Sequence, residues 1–312
     1  MDTKNNDKIN VGVVGVGHLG SMHARVYSAL KSTNLIGVCD VEKKHAKRVG
    51  RKYNVWYFAD YREFFDKIQA VSIVVPTVHH YKIARDFLEA GIHVLVEKPM
   101  TKTLQEADEL VRIANEKNLV LQVGHIERFN PAILSMEPYL KSPRFIEGQR
   151  MGPFTKKARI KDVGVVLDLM IHDIDIILSL VKSEVKHIEA VGTSSVSEHE
   201  DMANVRLTFK NGIICDITAS RITKEEVRRI RIFQEDSYIA LDFLHREAYI
   251  FRKIDGDIKK ERIKIKKHES LKQELKSFVN CVRNGSRPIV SGKEGRDALA
   301  VALAILDNIK TI

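Results

Sequence analysis

Hydrophobic and polar positions follow two different patterns along the chain. In the first 125 residues, short apolar runs alternate with longer segments of helical periodicity. The predicted strands are 9–14, 35–39, 71–75, 93–97 and 120–123. The predicted helices are 19–30, 41–52, 81–90 and 104–117. Strands that alternate with helices of this length are typical of a parallel sheet covered on both faces, so residues 1–125 are predicted to form an α/β dinucleotide-binding domain.

After residue 125 the pattern changes to a buried helix, a series of strands and two closing helices. The first helix is predicted over 165–181 and the last two over 270–284 and 295–309. Strands are predicted at 189–195, 203–209, 213–219, 229–233, 238–242, 249–252 and 262–265. Turn sequences such as Lys210-Asn211-Gly212 separate them, as in an antiparallel meander. Residues 126–312 are therefore predicted to form an α+β domain on an open, mainly antiparallel sheet.

Composition narrows the class of protein. The 312 residues are 44% hydrophobic and 29% charged, which is typical of soluble globular domains and excludes a disordered chain. The N-terminus has no signal-peptide pattern, and no apolar run is long enough to span a membrane. The cysteines, Cys39, Cys215 and Cys281, lie too far apart for a disulfide framework or a metal site. We therefore expect a cytoplasmic protein that binds neither a membrane nor a metal.

The positive net charge does not by itself indicate nucleic-acid binding. Lys and Arg outnumber Asp and Glu by 51 to 41, and much of the excess lies in residues 252–267, where charged and apolar residues alternate as in a half-exposed strand. No nucleic-acid motif accompanies this segment, so no nucleic-acid partner is expected. A basic surface suits an anionic substrate.

A glycine-rich motif follows the first predicted strand. The sequence Gly15-Val16-Gly17-His18-Leu19-Gly20 matches G-x-G-x-x-G and opens a predicted helix. Gly15 allows the tight turn, Gly17 lets the backbone approach a pyrophosphate, and Gly20 lets helix and strand pack closely. The helix N-terminus favours the phosphates electrostatically. The motif, including His18 and Leu19, is therefore predicted to bind a dinucleotide.

An acidic residue stands where the adenosine ribose should lie. Asp40 ends the second predicted strand, 20 residues after Gly20, and a carboxylate there repels a 2′-phosphate. Lys43 and Lys44 follow nearby, but they fall on the next predicted helix, where exposure to solvent is their expected role. NAD is therefore predicted in preference to NADP.

Two further groups of residues carry candidate chemistry. Glu97-Lys98-Pro99 stands at the carboxyl end of the 93–97 strand, where ligands bind in open α/β sheets. Asp168, His172 and Asp175 are spaced to share one stripe of an otherwise apolar helix, whereas Asp173 falls off that stripe, as a surface or capping residue would. Burying a carboxylate or a histidine is costly unless the group has an ionic or hydrogen-bonding partner or takes part in the protein's chemistry. A histidine oriented by a carboxylate can accept the proton in alcohol oxidation, although a purely structural Asp–His pair fits the same pattern.

Together these residues identify a family resemblance. The glycine motif, Pro76 followed by His80, Glu97-Lys98-Pro99 and the Asp168–Asp175 segment resemble the Gfo/Idh/MocA family of NAD(P)-dependent oxidoreductases. The resemblance implies an N-terminal Rossmann domain and a C-terminal domain whose open sheet forms oligomer contacts, giving a dimer or tetramer. It also implies catalysis by Lys98, Asp168 and His172, and cofactor contacts from Pro76, Thr77, His80, Glu97 and Lys98. One departure is visible, since Met170 stands where family members often have glycine.

A narrower resemblance concerns the substrate. Residues 124–131, 147–154 and 162–168 resemble the branch of the family that oxidises UDP-N-acetylglucosamine at the sugar 3-position. The resemblance implies a 3-keto product that an aminotransferase consumes in lipid A synthesis. Substrate contacts are expected from Lys98, Asp168 and His172, and Arg128, Arg150 and Arg159 are candidate diphosphate or sugar contacts because guanidinium groups bind phosphate bidentately.

Two alternatives remain open at this stage. An inositol or free-sugar dehydrogenase of the same family would need no contacts to a nucleotide. A non-catalytic NAD-binding regulatory protein would need the glycine motif alone, and the joint presence of Lys98, Asp168 and His172 argues against it.

Overall fold

The computed structural model describes residues 8–154 and 163–311, which divide into two compact units. The first contains the chain up to Ile126 together with Glu269–Arg296, and the second contains Glu127–His268 and the chain from Asp297 onward. Residues 269–296 therefore belong with the N-terminal unit, which corrects the prediction that 126–312 form one domain. The physical reason is apolar burial, because Leu271, Leu275 and Phe278 pack into the core of the first unit.

The first unit is built on a six-stranded parallel sheet. Its strands are β1 (Ile9–Val14), β2 (Thr33–Cys39), β3 (Trp56–Phe58), β4 (Ala70–Ile73), β5 (His93–Glu97) and β6 (Leu121–Gly124). The helices within this sequence are α1 (His18–Ala29), α2 (Lys43–Tyr53), α3 (His80–Glu89) and α4 (Leu104–Glu116). The strand order is β3-β2-β1-β4-β5-β6. The order reverses between β1 and β4, and a crevice for ligands is expected at the carboxyl ends of strands beside such a reversal.

The apolar runs in the sequence are the buried strands of this sheet. Val11 and Val13 of β1 are fully buried, as are Val94 and Val96 of β5, because helices cover both faces. The sequence did not predict β3, whose residues Trp56 and Tyr57 are exposed. A three-residue edge strand with little burial has no clear hydrophobic period.

The second unit is built on a nine-stranded, mainly antiparallel sheet. The helices of this part of the chain are α5 (Pro131–Met136), α6 (Ile171–Val181), α7 (Ser270–Asn284, in the first unit) and α8 (Gly292–Asn308). The strands are β7 (Phe145–Met151), β8 (Val185–Thr193), β9 (Met202–Phe209), β10 (Ile214–Ser220), β11 (Val227–Phe233), β12 (Ser237–Asp242), β13 (Glu247–Ile254), β14 (Asp257–Arg262) and β15 (Ile309–Thr311). The spatial order is β14-β13-β12-β11-β7-β10-β9-β8-β15, and only the β7–β10 and β8–β15 pairs among these strands are parallel.

One face of this sheet carries the core of the second unit. Buried and partly exposed residues alternate along β7 and β9, and Ile171, Ile174 and Ile177 of α6 belong to the same buried cluster. The last predicted strand, 262–265, is wrong, because β14 ends at Arg262 and its residues are all exposed. The alternating pattern that suggested it falls instead on irregular chain, in which Ile263 is buried.

The three cysteines are buried thiols without disulfide partners. Burial raises the pKa of Cys39 and of Cys215 to about 12, so both are protonated near neutral pH. In the part of the chain that the structure describes, no helix combines the length and the apolar character needed to cross a membrane.

Candidate active site

The glycine loop between β1 and α1 has the geometry of a phosphate cradle. Gly15 has a φ of +84°, and a side chain there would overlap the carbonyl oxygen of Val74. A side chain at Gly20 would overlap the carbonyl oxygen of Gly15, whereas the space around Gly17 is open. The loop therefore turns tightly against the sheet and leaves room over Gly17, which is what a dinucleotide pyrophosphate requires.

Asp40 holds this loop in place. One of its carboxylate oxygens accepts a hydrogen bond from the backbone N–H of Val16 at 2.8 Å, and the other accepts one from Glu42 at 2.9 Å. Lys43 and Lys44 lie exposed at the start of α2, as expected. The carboxylate thus sits at the end of β2, beside the cradle, where its negative charge opposes a 2′-phosphate.

The loop after β4 carries the next group of predicted cofactor residues. Pro76 is exposed and Thr77 is half-buried, so both are accessible to a ligand of this unit. His80 is only 1% exposed, with Nδ1 2.8 Å from the carbonyl oxygen of Pro99 and Nε2 2.9 Å from that of Val75. Both ring nitrogens therefore face the protein backbone, which differs from the direct cofactor contact expected of this residue.

Glu97 and Lys98 stand at the carboxyl end of β5. The Glu97 carboxylate lies 3.3 Å from Nε2 of His23, which is fully buried on α1. Across the sheet, Gly124 of β6 leaves space for that carboxylate, because a Cβ there would lie 2.8 Å from it. Lys98 is half-buried. The residue before the lysine is thus closely packed between α1 and β6, in the same unit as the glycine loop.

The second unit carries Asp168 and His172 on a helix that begins irregularly. Residues Val166–Met170 form a π-helical turn, and α6 continues from Ile171. The Val166 N–H at its start donates to Glu200 at 3.0 Å, a carboxylate that complements the helix N-terminus. A π turn has i→i+5 hydrogen bonds and more residues per turn than an α-helix, so the uniform α-helical stripe predicted for this segment is wrong in its first turn. Asp168 and His172 are both half-buried, whereas Asp175 is 2% exposed.

Two buried ion pairs hold the start of α6. Arg150 makes bidentate hydrogen bonds to Asp173, both at 2.9 Å, and a third to Glu127 at 3.1 Å. Arg128 contacts Asp175 at 3.4 Å. Burial lowers the pKa of Arg150, but the two carboxylates raise it by more, so the guanidinium stays charged.

These pairs correct two expectations. Asp173 is 1% exposed and paired, not a surface or capping residue. Arg150 is 4% exposed, and three of its five N–H groups donate to Asp173 and Glu127, so the structure gives it a role in holding the protein together in place of the expected surface position. The side chain of Arg128 is 15% exposed although it is paired with Asp175, so part of it is accessible to a ligand. Arg159 lies outside the described residues.

Sequence reasoning missed three of these features. His23, Glu200 and the Arg150–Asp173 pair each act across a long sequence separation, which no local period reports. The one sequence feature that could have indicated them is a charged or polar residue among apolar residues of a segment predicted to be buried. For Asp173 that signal was present, because the helix around it is apolar on nearly all sides.

Comparison with known proteins places these features in a family context. Residues 9–125 match the model of the oxidoreductase family Gfo/Idh/MocA, NAD-binding Rossmann fold, and residues 137–240 match a Gfo/Idh/MocA C-terminal domain. The chain is 36% identical over 304 residues to the UDP-N-acetylglucosamine 3-dehydrogenase of Acidithiobacillus ferrooxidans, covering 95% of this chain and 96% of the relative. It is 28% identical to the scyllo-inositol 2-dehydrogenase (NAD(+)) of Bacillus subtilis, covering 97% and 94%.

Solved structures of other dehydrogenases have the same fold as this chain. The structure of the A. ferrooxidans UDP-N-acetylglucosamine 3-dehydrogenase superposes with a TM-score of 0.92 over 97% of this chain and 98% of that one. A levoglucosan dehydrogenase in complex with NADH superposes with a TM-score of 0.87 at 19% identity, over 96% of each chain, which shows a shared fold.

Proposed function

Because the chain belongs to the Gfo/Idh/MocA family of oxidoreductases, and is an NAD-dependent enzyme of it, we propose that its substrate is UDP-N-acetylglucosamine, oxidised at the 3-hydroxyl. The observation that carries the proposal is the 36% identity to a UDP-N-acetylglucosamine 3-dehydrogenase over nearly the full length of both chains. The named relatives are dehydrogenases, which favours an enzyme over a non-catalytic regulatory protein.

The residues of each unit have distinct tasks in this proposal. NAD supplies the acceptor for the hydride that leaves the sugar carbon. His172 takes the hydroxyl proton, and Asp168 orients the imidazole and stabilises its charged form. Lys98 donates a hydrogen bond to the same oxygen. The glycine loop and Asp40 hold the cofactor, with Pro76, Thr77 and Glu97 as further candidate contacts, and Arg128 is a candidate substrate contact.

The product implies a coupled reaction. Oxidation of an isolated secondary alcohol by NAD is unfavourable near neutral pH, so the ketone accumulates little unless another enzyme consumes it. An aminotransferase that converts the 3-keto sugar to a 3-amino sugar, as in lipid A synthesis, is the partner we propose. It follows that the enzyme works in the cytoplasm, where NAD and nucleotide sugars occur together.

A second copy of the chain is the structural partner we propose. The face of the nine-stranded sheet opposite the core carries polar cross-strand pairs such as Arg206–Asp216 and Arg231–Glu147. The family resemblance assigns this open sheet to oligomer contacts in a dimer or tetramer.

An inositol or free-sugar dehydrogenase is the second candidate, favoured by the 28% identity to the B. subtilis scyllo-inositol 2-dehydrogenase. The two are separated by incubating the protein and NAD with UDP-N-acetylglucosamine, free N-acetylglucosamine, myo-inositol and scyllo-inositol, and measuring NADH formation. Turnover of the nucleotide sugar alone supports the proposal. Turnover of an inositol, with no oxidation of the nucleotide sugar, overturns it.

A further inference from the structure

His80 is a buried imidazole placed between two backbone carbonyl oxygens. The residue is 1% exposed. Its Nδ1 lies 2.8 Å from the carbonyl oxygen of Pro99, and its Nε2 lies 2.9 Å from that of Val75. Carbonyl oxygens only accept hydrogen bonds, so the neutral ring donates to one of the two, and it donates to both only when both of its nitrogens are protonated. Burial lowers the pKa of His80, while the two carbonyl oxygens and Glu97 oppose that effect.

The two carbonyls belong to the segments that leave neighbouring strands. Val75 follows β4 by two residues, and Pro99 follows β5 immediately after Lys98. The strands β4 and β5 are adjacent and parallel, so their carboxyl ends lie side by side. The His80 ring therefore bridges the two loops at the edge of the sheet where ligands of this fold bind.

Lys98 lies between this bridge and the closely packed side chain of Glu97. On one side, the Glu97 carboxylate lies 3.3 Å from Nε2 of the buried His23 and fits against Gly124, where a Cβ would lie 2.8 Å from it. On the other side, Pro99 and Met100 are buried, and the Pro99 oxygen contacts His80. A flexible lysine side chain gains precision when the backbone on both sides of it is fixed.

We infer that His80 is a positioning residue: by holding the Val75 and Pro99 carbonyl oxygens together, it fixes the backbone from which Lys98 reaches the reacting hydroxyl. This rests on the proposed function, because it takes the role of Lys98 from it. His80 itself acts through the lysine and makes no contact with the reacting atoms.

Three variants isolate the effect. His80→Phe keeps a ring of similar shape without donors, and His80→Gln restores an N–H group. The matched control is His93→Phe, which removes a histidine at the opposite end of β5, where Nδ1 accepts the Val120 N–H at 2.9 Å. All three are compared with the wild-type protein in thermal unfolding, so that a general loss of stability is recognised.

The first readout needs no substrate. Amide hydrogen exchange followed by peptide mass spectrometry should show faster exchange in residues 74–79 and 97–103 of His80→Phe, with less change in His80→Gln. His93→Phe should affect residues 118–124 instead. Unchanged exchange in both loops of a folded His80→Phe protein overturns the inference, whether or not the proposed substrate is correct.

The second readout is a double-mutant cycle on turnover with the oxidised substrate. His80→Phe should lower kcat by roughly 10- to 100-fold with Lys98 present, whereas Lys98→Ala and the double variant should have equal kcat. The dissociation constant of NAD should change little. An equal loss in both backgrounds assigns His80 a general structural role and contradicts the inference. If the wild-type protein oxidises no sugar or inositol, the proposed function fails. The hydrogen-exchange data alone then test whether His80 fixes the two loops.

Discussion

The carboxylate of Asp40 accepts a hydrogen bond from the backbone N–H of Val16, 2.8 Å away. This contact joins the end of β2 to the middle of the glycine loop. The residue that disfavours a 2′-phosphate therefore also fixes the shape of the cradle for the pyrophosphate. Cofactor preference and loop geometry are coupled through one side chain.

Replacing Asp40 tests this coupling. Asp40→Ser should bring the affinities for NAD and NADP closer together, because the repulsion of the 2′-phosphate is gone. It should also weaken NAD binding, since the contact to Val16 is lost or lengthened. Titration of both cofactors measures the change, and tighter binding of NADP than of NAD by the wild-type protein would refute the assignment.

The buried pair of Arg150 and Asp173 should be costly to break. Arg150→Met leaves the Asp173 charge buried without its partner, and we expect a loss of about 3–5 kcal/mol in the free energy of unfolding. The matched control is Arg206→Met, which removes an exposed partner of Asp216 and should cost about 0–1 kcal/mol. Denaturant unfolding measures both. Equal losses of unfolding free energy in the two variants would show that the buried pair contributes no more to stability than the exposed one.

Asp201 should make stability depend on pH. Burial raises its pKa, but hydrogen bonds from the backbone N–H groups of Ser195, Val196 and Ser197 and from the Ser197 hydroxyl lower it by more. Since the folded pKa lies below the unfolded value of about 3.9, its contribution is complete above that pH and is lost as the pH falls through the folded value.

The matched variant is Asp201→Asn, which removes the charge. The difference in unfolding free energy between wild type and variant should be constant at neutral pH and shrink below about pH 4. A difference that stays the same down to the acid limit of folding would exclude this source of pH dependence.

The proposed catalytic residues should affect turnover and not cofactor binding. His172→Ala and Lys98→Ala should each lower kcat by roughly 10²–10⁴-fold, as expected for a positioned acid–base or hydrogen-bonding group. The affinity for NAD should stay close to that of the wild type, because the phosphates and ribose are held by the glycine loop and Asp40. A His172→Ala enzyme with unchanged turnover, under conditions where chemistry limits the rate, would leave Asp168 and His172 as a structural pair.

The fold was largely predictable where local periodicity and burial coincide. The strands 9–14 and 93–97 have the predicted bounds, because each is an apolar run buried on both faces. The helix 270–284 also has the predicted bounds. Its membership in the first unit was not predictable, since an amphipathic helix shows that it packs but not against which core.

The site was predictable only in its local parts. The positions of the glycine loop and of Asp40 could be predicted from residue spacing and from the strands that precede them. Gly15 and Gly20 stand where a side chain would overlap the backbone of the same turn or of the neighbouring strand. The π turn before α6 and the pairing of Arg150 with Asp173 depend on contacts with distant strands and loops. A single sequence makes Arg150 a candidate substrate contact, because no local pattern reports its pairing with Asp173.

The measurement that tests the central claim most directly uses UDP-N-acetylglucosamine carrying deuterium at C3 of the sugar. The protein is incubated with this compound and NAD, in the presence of an aminotransferase and glutamate to consume the ketone, and the NADH formed is examined by mass spectrometry. Oxidation at the 3-hydroxyl predicts that the NADH carries the deuterium. NADH without deuterium, or NADH formed from myo-inositol but not from the nucleotide sugar, would contradict it.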